Sequence, residues 1–179
     1  MKFANPAPLG LFGFAACTWL LSMLNAGWFP IVKELPLMMA MAFAFGGVAQ
    51  FLAGLMEYPR GNTFGMVAFC SYGCFWFGFA LYIEALPKGS LEYQGAFLVV
   101  WAVITAALTI PTFKMNRVLQ GVFVTLTVAF LVLGLSHLLH MDSLHTLGGY
   151  IGMVTALLAA YQATAEVVNE VNGKVVMPI

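Results

Sequence analysis

The stretch LPLMMAMAFAFGGVAQFLAGLMEY, Leu35 to Tyr58, carries no charge until Glu57. At ~1.5 Å of rise per residue, a helix of this length crosses the ~30 Å hydrocarbon core of a bilayer. Counting by threes and fours from Gln50 puts Phe43, Gly46, Gly47, Gln50, Ala53, Gly54 and Glu57 on one face. That face is small and smooth, with an amide near mid-span and a carboxyl near the end, while Leu, Met and Phe occupy the other side. Small residues at helical spacing let helices approach closely. Gln50 asks for more, because a primary amide inside lipid needs partners. It either bonds another helix or lines a wet path, and both readings stay open here. Glu57 shares that face and is a candidate proton relay. Glu84, near the end of the next apolar stretch, reads as an interfacial carboxylate.

Five further stretches repeat the pattern, so six spans are expected: Pro8–Gly27, Leu35–Tyr58, Thr63–Leu86, Gln94–Thr112, Val118–Leu139 and Leu144–Val168. GWFPIVKELP, YPRGN, LPKGSLEY, PTFKMN and HMDSLH punctuate them. Only 8% of the chain is charged and 62% is hydrophobic, against about a quarter charged in soluble domains. The expected class is an all-α integral membrane protein, with residues 1–179 forming one transmembrane domain and no soluble module. The first span lacks the basic start and small-residue cleavage site of a removable signal peptide. Lys2, Arg60, Lys114, Arg117 and Lys174 fall on the side of both termini, against Lys33 and Lys88 on the other. The positive-inside rule then puts the termini in the cytoplasm, in the inner (plasma) membrane.

The chemistry that is not invited narrows the function. Net charge is zero and no basic run exceeds one residue, which speaks against nucleic acid. Cys17, Cys70 and Cys74 sit inside apolar spans and read as packing residues. His137, His140 and His145 with Asp142 lack a zinc-site context and read as interfacial. No nucleophile–base pair, phosphate loop or haem signature appears, so neither an enzyme nor a cofactor is expected. Several helices instead offer weakly polar stripes: Gly10, Phe14, Cys17, Thr18, Leu21 and Asn25 on the first span, and Thr155, Ala159 and Gln162 on the last. Ser71 and Tyr72 lie at mid-span, and a central tyrosine belongs to the bundle interior, because its buried hydroxyl needs a partner.

NPAPLGL (Asn5–Leu11), GGVAQFLAGLMEYPRGNTFG (Gly46–Gly65), FCSYGCFW (Phe69–Trp76), RVLQ (Arg117–Gln120) and EVVNE (Glu166–Glu170) together resemble the acetate uptake transporter family, the YaaH-type succinate–acetate permeases. The resemblance covers essentially the whole chain. It implies a six-helix protomer in a homohexamer, each protomer holding its own path for acetate and in some members succinate. It implies proton symport or a channel-like mechanism. It also implies a constriction of Phe14, Tyr72 and Leu126, by match to FG-F, SYG and TLTVAF. The loop Pro87–Gln94 is shorter than in the family.

The expected function is therefore transport of acetate or another short carboxylate, with a channel for small neutral solutes such as urea or short amides as the alternative. A carboxylate is almost wholly ionised at neutral pH, and hydrocarbon resists a bare anion. Amides, hydroxyls and helix-end N–H groups bind such an anion and let it leave. Pro8 suits the first turn of a helix because it has no N–H to waste. The remaining first-turn N–H groups, with Asn5 as cap or donor, then offer an uncharged anion-attracting mouth. Gln50, Ser71, Thr155 and Ala159 are the other expected path-lining residues.

Overall fold

Apolar length and turn chemistry set the elements in the computed structural model, which describes residues 4–85 and 89–179 and, of Glu84 and Ala85, the backbone alone. Lys2, Lys88, the Glu84 carboxylate and the start of the loop before Gln94 lie outside the described residues. The helices are α1 (Ala7–Asn25), α2 (Ile31–Met41), a π-helical segment (Ala42–Ala49), α3 (Gln50–Glu57), α4 (Thr63–Ala85), α5 (Leu91–Thr112), α6 (Arg117–Leu139) and α7 (Asp142–Asn172). With α2, the π segment and α3 forming one span, six helices are long and apolar enough to cross a membrane. The protein is an all-α, multi-pass membrane protein, and no strand occurs among the described residues.

Local residues explain the boundaries. The Pro6 carbonyl accepts from the N–H groups of Leu9 and Gly10, at 3.1 and 3.3 Å, and starts α1. Asn62 caps α4 by accepting from the Gly65 N–H at 3.0 Å, Ser90 caps α5 at 3.2 Å, and Asn116 caps α6 at 2.7 Å. Gly61, at φ 70°, turns the chain between α3 and α4 in a conformation that glycine adopts without strain.

Two expectations change. The second span begins at Ile31 rather than Leu35, because Pro30 opens the helix and Pro36 sits inside it. The turn-like GWFPIVKELP is thus partly helical. Phe43 leaves the buried face and is 48% exposed. The π segment winds wider than an α-helix, so Ala42 faces inward in its place. The rest of the predicted face, Gly46, Gly47, Gln50, Ala53, Gly54 and Glu57, is buried.

The spans close into a ring. The second span packs on α4 and α1, α1 on α7, α7 on α6, and α6 on α5. α5 returns to α4 through side chains: the Tyr72 hydroxyl donates to Thr105 Oγ1 at 2.9 Å, and Phe75 meets Trp101 edge-on at 5.1 Å. Missing side chains allow the closest approaches. A Cβ on Gly13 would stand 2.5 Å from the Phe45 carbonyl oxygen, and one on Gly149 would stand 2.5 Å from the Ala26 nitrogen. Large apolar residues such as Val32, Val103, Ile110 and Leu157 point outward from the ring.

Candidate functional site

Two cavities lie along the middle of the ring. One, of about 120 Å³, opens near the termini among α1, α3, α4, α6 and the end of α7. The other, of about 100 Å³, lies toward the opposite end among α1, α4, α6 and the start of α7. Both are far below the ~300–1,000 Å³ of drug-sized pockets, so each suits a molecule of a few heavy atoms. Phe14, Tyr72 and Leu126 are the side chains that line both. They therefore stand between the two volumes. Their packing is tight: the Phe14 and Tyr72 ring centroids are 5.7 Å apart, and Leu126 is buried. The Tyr72 hydroxyl points away to Thr105, which itself donates to the Trp101 carbonyl at 2.7 Å. The partition thus presents ring and methyl surface rather than a free hydroxyl.

The cavity near the termini holds the polar groups. Gln50 is 1% exposed and lines it. Its Oε1 accepts no hydrogen bond from the described residues. A buried amide oxygen without a protein partner costs about 1–3 kcal/mol. The amide lines the cavity, and its oxygen takes no hydrogen bond that ties two helices together among the described residues. Glu166 lines the same cavity, although the sequence marks it only as the start of EVVNE and not as a path-lining residue. Its Oε2 accepts from Asn5 Nδ2 at 2.8 Å and its Oε1 from Gln162 Nε2 at 2.7 Å. The available signal was spacing, because Glu166 stands one turn beyond Gln162 on the stripe of Thr155 and Ala159.

Other expected residues are placed differently. Asn5 takes the capping alternative, its Oδ1 accepting from the Ala7 N–H at 3.2 Å, and its amide goes to Glu166 rather than outward. The Leu9 and Gly10 N–H groups go to Pro6, so these first-turn donors are used within the chain rather than offered at a mouth. Thr155 and Ala159 line neither cavity. The Thr155 hydroxyl lies 2.8 Å from Thr125 Oγ1 across the α6–α7 contact, and Ala159 is fully buried in the core. Ser71 is half-buried and also outside both linings. Glu57 is 0% exposed and lies 3.3 Å from the Arg60 guanidinium, which also donates to the Ala4 carbonyl at 2.9 Å. It shares the Gln50 face but not the Gln50 cavity.

The far cavity is mostly aromatic and aliphatic, with Thr18, Ser22, Asn25, Trp76, His137 and His145 as its polar members. The histidines are therefore lining residues and not only interfacial ones. Among the described residues, neither cavity is lined by Lys or Arg. A cation there would hold an anion in place, whereas neutral donors bind it weakly enough for release.

Comparisons with known proteins agree with this architecture. The description of the GPR1/FUN34/yaaH family matches residues 1–179. The succinate-acetate/proton symporter SatP of Escherichia coli K12 is 41% identical over 184 residues, covering 99% of this chain and 96% of that protein. The ammonia transport outward protein 2 of Saccharomyces cerevisiae is 36% identical over 186 residues, covering 98% of this chain and 66% of its own length. A solved structure of the bacterial acetate channel SatP superposes with a TM-score of 0.94 at 39% identity, covering 99% of both chains.

Proposed function

The chain belongs to the GPR1/FUN34/yaaH family, and from that membership we propose that it moves acetate, and other short carboxylates such as succinate, across the cytoplasmic membrane. The path runs within one protomer, through the cavity of Gln50 and Glu166, past Phe14, Tyr72 and Leu126, and through the far cavity. The observation that carries this reading is the pair of small cavities, free of fixed cations, divided by three shared side chains. Gln50 supplies a hydrogen-bond donor to the carboxylate in transit.

Proton coupling follows from the energetics of the partition. Ring and methyl surface disfavours an anion strongly and a neutral acid far less. Glu166 is the better-placed proton carrier, because an ionised Glu166 repels a carboxylate beside it and a protonated one donates to it. Glu57, the relay expected from helical spacing, is held by Arg60 outside the cavities. The balance of basic residues supports termini in the cytoplasm, and the family resemblance supports a homohexamer, with outward apolar faces meeting lipid or neighbouring protomers.

A neutral-solute channel is the second reading, supported by the same small volumes, which no Lys or Arg lines among the described residues, and by the ammonia transport name of the yeast relative. Uptake of labelled acetate into proteoliposomes, with and without a pH gradient and beside urea and methylammonium, separates them. Faster acetate uptake on the acid side, with urea and methylammonium at background, supports carboxylate symport. Acetate at background beside rapid urea or methylammonium flux overturns it.

A further inference from the structure

Beyond the far cavity lies a third, outer pocket of about 260 Å³, lined by Ser136, His140, Asp142 and neighbouring residues. His137 and His145 are the side chains common to this pocket and the far cavity. They occupy the threshold between them, as Phe14, Tyr72 and Leu126 occupy the central partition. Their rings stack with centroids 5.3 Å apart and planes 15° from parallel, one from α6 and one from α7.

The hydrogen bonds assign one tautomer. The buried Ser136 hydroxyl donates its proton to the Leu133 carbonyl at 2.7 Å, so towards His145 Nδ1, 3.3 Å away, it acts as an acceptor. His145 therefore carries its proton on Nδ1 and keeps a lone pair on Nε2. His137 Nδ1 is buried without a hydrogen-bond partner among the described residues. One added proton turns the pair into a single imidazolium, and a second would set two like charges a ring-stack apart, which their repulsion opposes. Among the described residues the surrounding charges are few. Asp142 lies on α7 one turn before His145, and Glu92 on α5 pairs with His140 at 3.0 Å. α1 faces the pair with the uncharged Ser22 and Asn25. Among the described residues, no Lys or Arg lines either volume to compete for an anion.

We propose that His137 and His145 form a carboxylate-binding, proton-loading site at this outer threshold. The proposal rests on the carboxylate-transport reading and gives it an outer station. The pair takes one proton from the outer pocket, and the imidazolium N–H donates to an arriving carboxylate. The proton then passes to the carboxylate oxygen: carboxylate plus imidazolium gives carboxylic acid plus neutral imidazole. The neutral acid enters the aromatic far cavity, where an anion is disfavoured, and the ring recovers a proton from the pocket side.

The chain has three histidines, so selective 15N-histidine labelling of the intact oligomer gives three sets of ring signals, with His140→Gln assigning the third. Adding sodium acetate is expected to shift the His137 and His145 signals where equal sodium chloride does not. In vesicles of both orientations, raising the pH on the histidine face is expected to raise the apparent KM for acetate by roughly tenfold or more, the loss of one charge-assisted hydrogen bond. His145→Gln should remove that dependence, and His137→Asn weaken it. Absence of acetate-specific shifts, or an unchanged pH profile in a folded His145→Gln oligomer, overturns the site. Should His145→Gln fail to fold, His137→Asn and the labelled wild-type protein decide. Wild-type protein that moves no acetate at all overturns the transport reading instead.

Discussion

The rings of Phe14 and Tyr72 face each other with centroids 5.7 Å apart and planes at 50°. One comes from α1 and the other from α4, and together with Leu126 they wall both central cavities. Tyr72 is fixed by its bond to Thr105. Phe14 has only packing to hold it, which makes it the more adjustable half of the partition.

Phe14→Ala should join the two cavities and relax selection by size. A pocket distinguishes one methylene by roughly 10- to 200-fold, so butyrate uptake is expected to gain at least severalfold relative to acetate. Competition of unlabelled butyrate against labelled acetate, in a variant whose melting confirms folding, measures the change. An unaltered size preference would remove Phe14 from the path.

Gln50→Leu should slow acetate passage by roughly tenfold or more, because a hydrogen bond to a charged group contributes about 1.5–3 kcal/mol. The oligomer should stay intact, since Gln50 Oε1 bonds nothing among the described residues. Normal transport combined with a lowered melting temperature would make Gln50 a packing residue.

Glu166→Gln and Glu57→Gln separate the two buried-side carboxyls. Glu166→Gln should flatten the dependence of uptake on the pH gradient, as an amide neither takes nor gives the proton. Glu57→Gln should leave that dependence alone and cost about 1–3 kcal/mol of stability through the weakened contact with Arg60. A moved pH profile in Glu57→Gln, with none in Glu166→Gln, would restore Glu57 as the relay.

Gly13→Ala should lower stability, because its Cβ would meet the Phe45 carbonyl oxygen at 2.5 Å. Overpacking of this kind costs about 1–3 kcal/mol. The opposing atom is backbone of the π segment just before Gln50, so transport should fall as well. Unchanged melting would show that this segment yields.

Native mass spectrometry in mild detergent should give a sixfold assembly. Monomer alone, at concentrations where transport is retained, would count against the hexamer.

Much of the fold was legible in the chain because its causes are local. Span length and apolarity set six crossings, Pro6, Pro8, Gly61, Asn62, Ser90 and Asn116 set where helices begin and turn, and threefold and fourfold spacing put Gln50, Ala53, Gly54 and Glu57 on a buried face. Spacing alone does not say what a face meets. The π segment turned Phe43 outward, because one wider turn shifts every residue before it. Only the closed ring brought Asn5 against Glu166, 161 positions away, and left Gln50 facing a cavity while Glu57 met Arg60. The partition residues Phe14 and Leu126 came from family resemblance, since an apolar residue on a small-residue face carries no local mark of lining a path. Helix identity is written in neighbouring residues, whereas a cavity is the space left when distant helices pack, and that is decided by the tertiary structure.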